Sequence, residues 1–70
     1  MDTVIDPKIN ALMKLYKAEI AVYKEEIQNY LDNPVAVGEH GNLIETMDTL
    51  VQKMAESEDK LIVLETHFNE

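Results

Sequence analysis

Seven apolar or aromatic residues recur in alternating steps of four and three: Ile9, Met13, Tyr16, Ile20, Tyr23, Ile27 and Tyr30. On a helix with about 3.6 residues per turn, such steps keep every member on one narrow stripe, the seam of a helix that packs lengthwise against another helix. A strand would need alternation every second residue. The three tyrosines, seven apart, mark the stripe. The same steps return in the second half at Leu43, Met47, Leu50, Met54, Ser57, Leu61, Leu64 and Phe68. Two helices with matching seams are therefore expected.

Their ends are legible. Asp6 before Pro7 places a carboxylate at an N-cap and a proline at the first helical position, where its missing N–H costs nothing. The period then runs without Gly or Pro to Asp32, and Asn33-Pro34 ends it, because the residue before proline is driven out of helical dihedrals. Two glycines and a proline between Pro34 and Gly41 mark a loop. Its apolar residues Val35 and Val37 are expected to fold back over the end of the core. Asn42-Leu43-Ile44-Glu45 reads as a capping box, with Asn42 capping and Glu45 reaching back. The expected fold is all-α: an antiparallel two-helix hairpin over about 7–32 and 42–68, forming a single domain over 1–70.

Folding at the loop sets the register. Tyr30 then faces Leu43, Tyr23 faces Leu50, Tyr16 faces Ser57 and Ile9 faces Leu64, with Phe68 reaching Val4 and Ile5. Ser57 is the one polar member of either seam. Its small side chain leaves room for the Tyr16 ring, and its hydroxyl is placed to partner the phenol. A buried polar residue of this kind can also fix register.

The apolar inventory is larger than one shared seam can cover. Leu12, Leu15, Val22 and Leu31 flank the first seam, and Ile44, Val51, Ile62 and Val63 flank the second. Stripes this wide suit a bundle of three or four helices. The simplest supply is a homodimer of hairpins, a four-helix bundle of coiled-coil type. The expected interface residues are Leu12, Leu15, Tyr16, Val22, Tyr23, Tyr30, Ile44, Val51, Ile62 and Val63. Tyrosine, with an apolar ring and a polar tip, serves a hairpin core or a partner contact. The size of the chain points the same way. Seventy residues give a thin core, and with no cysteine there is neither a disulfide nor a thiolate metal site to reinforce it.

Polar residues assemble no reaction site. Glu45 and Asp48, and Glu56 and Asp59, share helix faces at a spacing of three. Glu-x-x-Asp is one half of the pattern by which the all-α NTP pyrophosphohydrolases hold magnesium. The other half, Glu-x-x-Glu on the first helix, is missing, since its glutamates are Glu19, Glu25 and Glu26. His40 and His67 have Val37 and Leu64 three positions before them, so the Glu-x-x-His of a di-iron bundle is absent as well. No catalytic residue, cofactor or metal is assigned.

Net charge is −8, which opposes direct contact with a phosphate backbone. The charge is uneven: residues 7–32 carry four lysines and four acids, whereas 42–70 carry two lysines against seven acids. The segment from Met1 to Asp6 is acidic and has no long apolar run, unlike a secretory signal, and nothing suits a membrane span. A complete small cytoplasmic protein is expected. Its leading function is that of a small acidic interaction module, an adaptor, inhibitor or accessory subunit with a protein partner. The alternative is an acidic mimic of nucleic acid that inhibits a nucleic-acid-binding protein, and a magnesium-dependent nucleotide hydrolase comes third.

Overall fold

A computed structural model describes residues 5–33 and 42–68. Two helices fill them: α1, Pro7–Asp32, and α2, Leu43–His67. They pack against each other, and the cross-section is 16 × 15 Å, the width of a helix pair. The expected facing pair Tyr30 and Leu43 falls within these residues; Val35, Val37, His40 and Val4 lie outside them.

Both helix starts follow local chemistry. The Asp6 carboxylate accepts the Lys8 N–H at 2.7 Å, and Pro7 opens the helix behind it. The Asn42 side chain accepts the Glu45 N–H at 3.0 Å, which is one half of the expected capping box. The return bond from Glu45 is not among the side-chain bonds of the described residues. α1 closes at Asn33, whose N–H still reaches the Asn29 carbonyl at 2.8 Å. α2 closes at Phe68, with His67 set in the last turn where the helix end favours a cation. Phe68 keeps the spacing of the seam but has left helical dihedrals. It stays half exposed, its ring edge-on to His67.

Asp6 carries the N-terminus of α1 alone, since the first turn holds no other acid. Asp6→Ala should therefore lower stability by about 1 kcal/mol. In thermal melts followed by circular dichroism this corresponds to a midpoint roughly 4–8 °C lower. The nearby Lys8–Asp6 ion pair, 3.5 Å long and well exposed, adds little to that figure. An unchanged midpoint would remove the cap from the account.

The core is the pair of seams. Met13, Leu50, Ser57 and Leu64 are buried. The remaining seam residues Ile9, Tyr16, Ile20, Tyr23, Ile27 and Tyr30 of α1 and Leu43, Met47, Met54 and Leu61 of α2 are half-buried. The sequence pattern thus fixes which side of each helix turns inward. All three tyrosine rings belong to this seam and lie half-buried along it.

Candidate functional site

Ser57 is the most enclosed side chain of the core, 3% exposed. Its hydroxyl donates to a carboxylate oxygen of Glu19 at 2.8 Å. The Tyr16 phenol, expected to partner that hydroxyl, does not accept it, and the Tyr16 ring has the Lys60 ammonium 5.5 Å from its centroid. The reason for the change is geometric and chemical. Glu19 sits one turn after Tyr16, and helical side chains lean back toward their own N-terminus, so its carboxylate arrives at the Ser57 level. An ionised carboxylate is also a stronger acceptor than a phenol. Glu19 and Lys60 were not singled out by the seams, although one signal was present. Each immediately precedes a seam residue, Ile20 and Leu61.

That position has a meaning in an antiparallel pair. Glu19 meets Ser57 while Tyr16 meets Lys60, so the level rises along α1 as it falls along α2. In such a pair, residues that precede the inward positions on both helices open to one broad side, and residues that follow them open to the other. The preceding side carries Leu12, Glu19 and Glu26 from α1 and Thr46, Lys53 and Lys60 from α2. The following side carries Lys17, Lys24 and Leu31, each directly after a seam tyrosine, and Ile44, Val51, Glu58 and Glu65, directly after Leu43, Leu50, Ser57 and Leu64.

The flanking apolar residues are all exposed, and they divide between these sides. Ile44, Val51 and Leu31 lie on the following side, with Ile62 one step further round α2. Leu12 lies on the preceding side, with Leu15 and Val22 further round α1 and Val63 further round α2. The structure therefore does not gather the expected interface residues into one patch. α1 carries most of its extra apolar residues before the seam and α2 carries most of its own after it, and antiparallel packing turns those rows to opposite faces. The three tyrosines are committed in part to the hairpin seam, leaving a wet edge to each ring.

The two faces are not equal. The following side holds Ile44 at 73% exposure, Leu31 at 59%, Ile62 at 56% and Val51 at 52%. Among the described residues the one ion pair is Lys8–Asp6, so Lys17, Lys24, Glu58 and Glu65 are unpaired in the hairpin. On the other side, Glu19 and Lys60 already have uses inside it.

Among the described residues there is no pocket, and no group of three or more histidine or acidic side chains is placed to hold a metal ion. The carboxylates of Glu45, Asp48, Glu56 and Asp59 all face solvent. No helix among the described residues is long and apolar enough to cross a membrane. Fold and surface together define a two-helix hairpin with uncovered apolar side chains on both broad faces. Compared with known proteins, the chain matches no family description, no curated protein and no solved structure.

Proposed function

We propose that the chain is a small acidic, non-enzymatic interaction module, an adaptor, inhibitor or accessory subunit that works through its helix faces as a homo-oligomer. The observation that carries this reading is the row of large aliphatic side chains left in water beside a packed seam. A two-helix rod has no second layer to cover them, and large aliphatic side chains left uncovered on a helix face suit contact with another chain. Recognition would follow the helix-in-groove mode, with aliphatic anchors central and carboxylates at the rim.

Light scattering at micromolar concentration is expected to give a mass of two or more chains, and a tagged chain is expected to retain a defined protein partner in its native host. A well-folded monomer that retains nothing would overturn the reading.

One observation favours a second reading. All six acids of α2, from Glu45 to Glu65, are exposed. A carboxylate-covered helix of this kind would suit the groove of a nucleic-acid-binding protein, with binding that weakens steeply as salt rises and competes with DNA or RNA. Reversing charges on α2 without loss of partner binding would exclude it.

A further inference from the structure

We infer that the following side of the hairpin is a self-complementary dimer interface, and that its occupant is a second copy of this chain related by a two-fold axis parallel to the helices. The inference rests on the reading of the chain as a homo-oligomeric module, and it specifies the face and the pairing.

Charge and shape on that face carry it. Its α1 half is basic, with Lys17 and Lys24 and no acid. Its α2 half is apolar and acidic, with Val51, Ile44, Glu58 and Glu65 and no lysine. A two-fold axis lying in the face and running along the helices sets α1 of one copy against α2 of the other, antiparallel and at unchanged height. Every helix then has antiparallel neighbours, the arrangement of an up-down four-helix bundle.

The heights match along the rod. In the hairpin Glu19 meets Ser57 and Tyr16 meets Lys60, so the residue after Tyr16 lies at the level of Glu58 and Asp59. Lys17 of one copy therefore falls beside Glu58 of the other, and Leu31 falls beside Ile44. Between them, the stem of Lys24 crosses Val51, an apolar chain over an apolar side chain with its ammonium left at the rim. The charges used have no ion pair among the described residues, and the aliphatic residues include the most exposed of those residues. The opposite face has spent Glu19 on Ser57 and Lys60 on Tyr16.

A mixing experiment separates this pairing from any effect within one hairpin. Lys17→Glu and Glu58→Lys are each prepared in the full chain, and self-association is measured by sedimentation equilibrium alone and in equimolar mixture. Two rim pairs per dimer turn repulsive in either variant, so each should associate about tenfold more weakly than the parent. In the mixed dimer, the carboxylate introduced by Lys17→Glu in one copy meets the ammonium introduced by Glu58→Lys in the other. The second intermolecular pair keeps the parental Lys17 and Glu58. Both pairs are then attractive, and parental affinity should return. Pairing confined to one chain cannot be restored by mixing.

Val51→Glu should abolish the dimer with helicity retained, because the site is exposed in the hairpin, whereas Leu15→Glu on the far side should leave it intact. A mixture no stronger than its components, or a Val51→Glu dimer as tight as the parent, would overturn the assignment. If the parent dimerises and Leu15→Glu breaks it while Val51→Glu does not, the face is wrong and the module reading stands. A monomeric parent removes the dimer assignment, and it removes the module reading as well if the chain also retains no protein partner.

Discussion

Leu50→Ala and Leu64→Ala should each lower the thermal midpoint by roughly 10–20 °C and leave the helical signal partly lost at room temperature. Both leucines are only 8% exposed, and among the described residues the core holds one other apolar residue at that level of burial, Met13. Removing a buried leucine side chain to the β-carbon costs about 2–5 kcal/mol, depending on how far the surroundings close over the gap. A domain of this size holds about 3–5 kcal/mol in its core. One such change thus removes most of what keeps the helices together. The hairpin has no second layer to absorb the loss, and helices of 26 and 25 residues keep little structure once separated in water. Val63→Ala, adjacent in sequence to Leu64 but half exposed, should shift the midpoint by only a few degrees. Equal responses from Val63 and Leu64 would show that the seam is not the core.

Ser57→Glu should be as damaging as the leucine truncations, for a different reason. The hydroxyl occupies the most enclosed position of the core and donates to the Glu19 carboxylate at 2.8 Å. A glutamate there sets two like charges side by side in a partly desolvated layer and forces a larger side chain into a space sized for serine. The expected cost is about 3 kcal/mol or more, read as a loss of cooperative melting near neutral pH. Ser57→Ala removes only the donor, and it should cost about 1–2 kcal/mol, since half-buried Glu19 can turn to water. Pairing Ser57→Glu with Glu19→Gln should recover part of the stability through the removed repulsion. No recovery in the double variant would place Glu19 elsewhere than beside Ser57. The cycle is informative because the two residues are 38 positions apart in sequence, so coupling between them reports on the packing of α1 against α2.

The steps of four and three were enough to fix the helices and their inward sides, because seam periodicity is a local consequence of 3.6 residues per turn and of apolar burial. The cap at Asp6 and the stop at Asn33-Pro34 were legible for the same reason. Each depends on neighbours in sequence alone. The Ser57 layer was only half legible. That a small polar residue would sit inside was plain from its place on the seam. Which group would answer it depended on the lean of side chains from the opposite helix, and that chose Glu19 over Tyr16. The division of the exposed rows was also written in the chain, as the difference between preceding and following a seam residue. It acquires meaning only when the second helix runs the opposite way, since antiparallel packing sorts those positions onto two faces. Apolar content alone does not reveal this, and it is the reason Leu15 and Val51 belong to different surfaces.

The thinness of the rod sets how the molecule is felt from outside. Its cross-section is 16 × 15 Å, while electrostatic potential in physiological salt decays over about 8 Å. A partner approaching α1 therefore meets a helix with equal numbers of lysines and acids, removed from the acids of α2 by distance and salt. An approach from the α2 side meets the acids first. Near ~0.01 M ionic strength the decay length grows to about 30 Å, longer than the rod is wide, and the two approaches become alike. The chain is thus two-sided in the salt of a cell and uniformly repellent to anions in dilute buffer.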